Sequence, residues 1–464
     1  MAASILGLCR NGPAVLAILY LTTSAAVADA SISSQKECLS IAVATWLPSD
    51  VAVWQKICKG QNVDLKDLPD TQRKLSAEFL RDIVSDINYT RFLPHRRLAI
   101  SGASFEEEVE IVNADIDELK LDDCSVRNLK LINAKIRSLL VMGGRLGGLM
   151  IKPGSFSEVV LSPALSGDVF LTDVAIEGSL EIGGPRPNPA LSEGIPAHIS
   201  ALVVLSAHIR ALAINQNTTL DFLMVANSTF EEYLRAVIDN GINRDIKIEF
   251  ANFSDDKVNG ALDLRESDIV RLSVRNTEAN QAALPPNVPR LITLKSFEFT
   301  SWSNDLPTTI GYLTANSIYD PPLFDRIAQS FRRDGNYMAV RKIGYMKANQ
   351  DYQHSAGITK PLMLMSWASV GYGYYPEVGF IWIGLLVIFG FFVFRTGKVT
   401  AGEVPRSWLV YAVDTVVPVI KLDAKHGYIQ FSGWRQYFVY IMRMLSAGLA
   451  YLVFRFLQNA VTGG

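Results

Sequence analysis

Histidine and cysteine are scarce in this chain, five and four among 464 residues, and that scarcity removes several chemistries. There is no C-x-x-C pair, so the sequence offers neither a thioredoxin-like dithiol nor a haem-attachment motif. No glycine-rich loop leads from a strand into a helix; GGRLGG, Gly143 to Gly148, lacks the dinucleotide spacing. Ser33 to Lys36 spells S-x-x-K, but no partner motif follows it. A surplus of one charge is also missing. With 44 basic and 46 acidic residues, nothing global favours a nucleic-acid partner. The expectation is no catalytic residue, no cofactor and no metal ligand.

What the chain has in quantity is apolar residues. They make up 49% of it against 19% charged, a balance that anticipates membrane segments. Between Val109 and Gly178 they follow a ten-residue pattern that repeats seven times without a gap, beginning VEIVNADIDE, LKLDDCSVRN, LKLINAKIRS. The first, third and eighth positions are large and apolar, as in Val109, Ile111 and Ile116; Ser166 is the one exception. The sixth is small in Ala114, Cys124, Ala134, Gly144, Gly154 and Ala164. A helix repeats every 3.6 residues and a strand every two, so neither sustains this period. A chain that turns a corner every five residues does, with about twenty residues per coil and coils stacked at roughly 4.8 Å. His198 and His208, ten residues apart, then lie half a coil from each other and point from opposite sides.

The same phase holds one residue out of step at Leu98, Ile100, Ala103 and Phe105, and slips again at Leu180 and Ile182. A Pro- and Gly-rich insertion, Gly183 to Pro196, interrupts it, and it returns at Leu202 to Ile214, Leu262 to Val274 and Ile292 to Phe299. Residues 230–245 read as a helical excursion.

The ends differ from the middle. Arg10, the run Ala14 to Leu21 and Ala28-Asp29-Ala30 read as a secretory signal, with a retained anchor as the alternative. Residues 31–95 read as a helical cover for the first coil, with Leu75, Phe79, Leu80, Ile83 and Ile87 as an apolar stripe behind Asp70 or Thr71 as N-cap. Cys38 and Cys58 lie in this exported segment and are expected to form a disulfide, two buried thiols being the alternative. Pro321-Pro322 opens a helical hairpin that breaks at Asp334-Gly335-Asn336, a single tetratricopeptide-like unit whose expected role is the second cover.

Val378 to Phe394 is an uncharged run long enough to span a bilayer. A second, Tyr437 to Leu457, contains Arg443 and Arg455, and Arg443 is the candidate intramembrane functional residue. Basic residues crowd the connecting loop, which places residues 395–435 in the cytoplasm and the coil outside. Residues 407–420, interrupted by Asp414 and Pro418, read as interfacial.

The small residue two places before a large apolar centre resembles the pentapeptide-repeat proteins. Most of the chain from about 96 to 464 is similar to a group of bacterial envelope proteins with such a β-helix and a C-terminal pair of transmembrane helices. The matching stretches include RRLAISGASF, VFLTDVAIEGSLEIGG, YDPPLFDRIAQSFRRDGNY, VGYGYYPEVGF and DTVVPVIKLD. Some members are labelled membrane-associated oxidoreductases, although no motif in this sequence carries that chemistry. The expected fold is mainly β, a right-handed quadrilateral β-helix with helical caps and two transmembrane helices. Its parts are a signal over 1–30, a cap over 31–95, the β-helix over 96–302, a hairpin over 303–360 and a membrane domain over 361–464.

The expected function is that of a non-enzymatic scaffold in the bacterial inner membrane, with the bilayer and a protein as partners. Glu106, Glu107, Glu108 and Glu110 fall on outward positions and form a candidate partner-binding face, with an ordinary solvated face or a calcium-attracting one as alternatives. A sensor or pore component and an enzyme with an unrecognised site are the competing functions.

Overall fold

The computed structural model describes residues 35–41, 44–183, 197–215, 217–237, 246–417 and 422–462. The expected signal over 1–30 lies outside them, as do residues 184–196 of the insertion. The chain divides into two compact units, Met1–Leu323 and Phe324–Gly464.

The first unit is a β-solenoid of about nine turns. Alternate strands enter one of two parallel sheets, of eleven and nine strands. Asp115–Asp122 pairs with Ala134–Met142 through Ile116↔Ile136, Leu119↔Leu139 and Leu121↔Val141, each a step of twenty residues. After the insertion the step lengthens to 21, as in Ile209↔Phe230, reaches 28 where residues 238–245 intervene, as in Leu220↔Ile248, and returns to 20 in the last coil, as in Leu272↔Ile292. Corners sit at the fifth position of the ten-residue unit, where Asn113, Asp123, Asn133, Gly143 and Asp173 all have positive φ. That backbone state is open to glycine and tolerated by Asn and Asp. The Asn133 amide donates to the Asn113 side-chain oxygen one coil away at 2.6 Å, so a corner is tied to its neighbour.

The inward positions are filled. Val109, Ile111, Ala114 and Ile116 are buried, as are their counterparts through Ile136. The small sixth position is a steric requirement: a Cβ on Gly144 would meet the Cys124 carbonyl oxygen at 2.1 Å. Two details differ from expectation. Ala164 is exposed, because Pro163 takes the inward corner in that copy, and Ser166 is buried at the eighth position with no hydrogen-bond partner for its hydroxyl. The helical excursion over 230–245 is not met in its described part, where Thr229–Val237 is a strand paired with both neighbours.

Parallel coils leave a row of unpaired backbone groups at each end, which must be covered. At the N-terminal end Val63–Asp64 extends the eleven-stranded sheet by pairing with Ile100 and Ser101. Leu75 N donates to Ser104 O on the other sheet. Helix Ala77–Ser85 is capped by Ser76, whose hydroxyl accepts from Phe79 N, and buries Phe79, Leu80, Ile83 and Val84. The expected stripe is thus one turn too long: Ile87 lies in a separate helix and is exposed, and neither Asp70 nor Thr71 caps it. Asp50, fully buried, accepts from Leu47 N, Ser76 N and the Ser76 hydroxyl, joining helix Pro48–Cys58 to that cap.

The last coil is closed by helix Leu306–Ala315, a segment with little apolar periodicity. Trp302 Nε1 donates to Thr309 Oγ1 at 2.8 Å, Tyr312 donates to Pro285 O, and the Asn316 side chain brackets the Leu294 backbone.

Helix Pro321–Arg333 enters the second unit at Phe324; there its Asp325 pairs with Lys347 of helix Tyr337–His354 at 2.7 Å, and Asn336 caps the latter. Helix Thr359–Val370 ends at left-handed Gly371 and leads into helix Pro376–Arg395. Its segment Glu377–Arg395 is the one described helix long and apolar enough to cross a membrane. Helix Trp434–Thr462 has 29 residues. Between the two lies helix Trp408–Val416, whose Tyr411 and Ala412 join Phe394, Ile429, Phe431 and Val439 in one buried cluster.

Candidate functional site

Among the described residues the cysteines are either bridged or buried. Cys38 and Cys58 form a disulfide with Cα atoms 5.8 Å apart, and Trp54 Nε1 donates to Cys38 O beside it. Cys124 is buried, and that burial pushes its thiol up to about 11, so thiolate is absent at neutral pH. His198 lies on the nine-stranded sheet beside Asp221 at 3.5 Å, and His208 on the eleven-stranded sheet bonds Glu231 at 2.9 Å. No group of His, Cys, Asp or Glu among the described residues has metal-site geometry.

Two titratable groups escaped the sequence reading. Asp256 occupies the sixth, inward position of its coil, where the first copies carry Ala, Cys or Gly. Its carboxylate accepts from Ser228 N and Ser254 N, each at 2.9 Å. Burial outweighs those bonds and pushes its pKa up to about 7. The second is the Asp414–His426 pair, 2.6 Å apart and almost wholly buried. Burial acts to raise the Asp414 pKa, but the Leu422 and Asp423 amides and His426 outweigh it and leave it lowered. His426 Nε2 faces Asp423 at 3.8 Å, and its ring packs edge-on against Tyr411. The Nδ1 bond fastens residues 422–426 to helix Trp408–Val416.

The four glutamates are exposed on strand Ser104–Val112, and two of them are already neutralised. Glu106 pairs with Lys74 at 2.7 Å and Glu108 with Lys130 at 2.5 Å. The Lys130 hydrogen bond holds the Glu108 carboxyl below the usual range. Arg443 is exposed on helix Trp434–Thr462, within electrostatic reach of the buried Tyr411 hydroxyl.

A feature of the solenoid wall becomes visible only through strand register. Across the nine-stranded sheet, one outward row reads Glu110, Lys130, Met150, Phe170, Val203, Met224, Asn252. Its centre is apolar. Met150 is 39% exposed, and Val203, though outward between buried Leu202 and Val204, is only 7% exposed beneath its neighbours. One row over, Phe222 packs on Phe250 at 5.3 Å, with the Arg271 guanidinium over the Phe250 ring. These residues adjoin one another across the coils, and contiguity is what separates a patch from the apolar residues scattered singly over any surface. The residues lie 20 to 33 positions apart in the chain, so no local motif announces them. No family model, curated protein or solved structure matches this chain.

Proposed function

We propose that this protein is a non-enzymatic, membrane-anchored scaffold of the bacterial envelope, and that the outer wall of its solenoid binds a protein partner. The coil is read as the right-handed, four-sided form of the pentapeptide-repeat type, anchored in the inner membrane by Pro376–Arg395 and by Trp434–Thr462 as a second span. The solenoid faces the periplasm and the loop over 395–435 the cytoplasm; nucleic acid is not a partner. The observation that carries this reading is the apolar row Met150–Phe170–Val203–Met224 on the nine-stranded sheet, with unpaired Glu107 and the half-neutralised acidic strand at its N-terminal side. The filled interior supports it as well, since it leaves only the walls for recognition.

Phe170→Glu and Met224→Glu, made together in the full chain, test it. The reading expects loss of partner capture in cells with unchanged export and melting temperature. Retained capture by the folded double variant contradicts it. A sensing role through the spans is the second reading, favoured by the exposed Arg443 beside Tyr411. For that role Arg443→Ala changes the cellular response while partner capture persists.

A further inference from the structure

Helix Thr359–Val370 has an unusual surface for its length. Leu362, Leu364, Met365 and Trp367 are 59%, 46%, 68% and 45% exposed, and at 100° per residue they surround the helix instead of forming one stripe. Its one charge, Lys360, sits in the first turn over the Tyr352 ring. Ser369 donates back to Ser366 O within the helix. Thr359, Ser366 and Ser369 make only a narrow polar side, and most of the circumference is apolar. Yet twelve residues reach only about 18 Å, too short for a hydrocarbon core of roughly 30 Å.

Its neighbours fix a level for it. Trp382 Nε1, nearly two turns into helix Pro376–Arg395, donates to Ala368 O. A Cβ on Gly379 would meet Val370 at 3.3 Å, so the two helices touch at their shared end. Around that end stands a collar of amphipathic rings. Trp367 Nε1 donates to the Tyr345 hydroxyl at 3.0 Å, Tyr345 packs on Tyr372 and Tyr375, and the Arg341 guanidinium lies over Tyr375. Tyr and Trp rings with one wet and one apolar end collect at membrane–water boundaries.

We propose that helix Thr359–Val370 is a monotopic element seated in the headgroup–acyl boundary of the leaflet that receives the Pro376 end of the span, its apolar side chains against lipid and the Tyr345–Trp367–Tyr372–Tyr375 collar at headgroup level. This rests on the membrane reading of Pro376–Arg395 and adds a second, lateral contact with the same bilayer. It gives the helical hairpin a fixed height above the surface.

The test uses the full chain in phosphatidylethanolamine–phosphatidylglycerol vesicles, with single nitroxides at Met365, Phe389 and Asp334. Accessibility to oxygen and to a water-soluble nickel chelate is compared at each site. The inference expects the oxygen-to-nickel ratio at Met365 to be several-fold above that at Asp334 and below that at Phe389. A Met365 ratio equal to that of Asp334, with Phe389 still lipid-exposed, overturns the inference and leaves the membrane reading standing. Nickel access at Phe389 as well overturns both.

Discussion

A buried carboxylate with no cation beside it makes the solenoid sensitive to pH at one residue. Asp256 sits at about 7 in the folded chain, raised by burial, against an ordinary value of 3.8. Because the folded value is the higher one, its contribution to stability is full below about pH 4 and is lost as pH rises through 7, on the order of 4 kcal/mol at the limit. The purified chain is therefore expected to melt higher at pH 5 than at pH 8, and Asp256→Ala should shrink that gap. An equal gap in the variant rules out Asp256 as its source. The Cys38–Cys58 bridge acts through the unfolded chain instead: closing a loop of twenty residues contributes about 3 kcal/mol by chain entropy. Cys58→Ser should lower the melting temperature of the N-terminal cover, read by Trp fluorescence of the Trp46–Trp54 pair. His426 is a less neutral position than its lone place in the sequence suggests, because its replacement leaves Asp414 buried beside an empty site.

At the scale of the element, the corner dictates the coil. Ala134 is buried and pairs directly with Gly154 on the next coil, while Lys135 beside it points out. Ala134→Phe overpacks the corner and should cost about 1–3 kcal/mol or more. Lys135→Phe should cost little, and equal losses in thermal melts contradict the inward register. The early coils were legible because their large residues keep strict phase and a small apolar residue precedes each corner's centre. The later coils were legible only in part, at Leu202 to Ile214, Leu262 to Val274 and Ile292 to Phe299, and the rest escaped for two physical reasons. Their sixth positions are polar, as in Thr218, Ser228, Asp256 and Thr277, buried because backbone donors and acceptors satisfy them. Their step runs to 21 residues, as in Ile248↔Ile269, or to 28, as in Leu220↔Ile248, which breaks a ten-residue count. Thus Phe230, Leu234 and Val237, at helical spacing in the sequence, belong to a strand bent at a corner, where Phe230 and Leu234 both point inward. The fifth position held a signal that the apolar pattern overshadowed: Asn, Asp or Gly at most corners where φ is positive, with Ser206 and Ser296 as the exceptions. The site was less legible still, since Met150, Phe170, Val203 and Met224 meet only through pairing across coils.

For the whole molecule, the proposed function asks of one chain both a solenoid with a filled interior and a membrane anchor. Sidedness can be read with a membrane-impermeant maleimide on spheroplasts carrying Glu107→Cys or Lys425→Cys. The account expects labelling at 107 before lysis and at 425 only after it; the reverse pattern inverts the topology. Its central claim is that function lies on the nine-stranded wall, and photo-crosslinking in intact cells tests that most directly. Benzoylphenylalanine is placed at Phe170 on that wall or at Lys135 on the eleven-stranded one. The account predicts one discrete protein adduct from position 170 and none from 135. An adduct from 135 alone, or a silent position 170 in a chain that still supports the cellular phenotype, contradicts it.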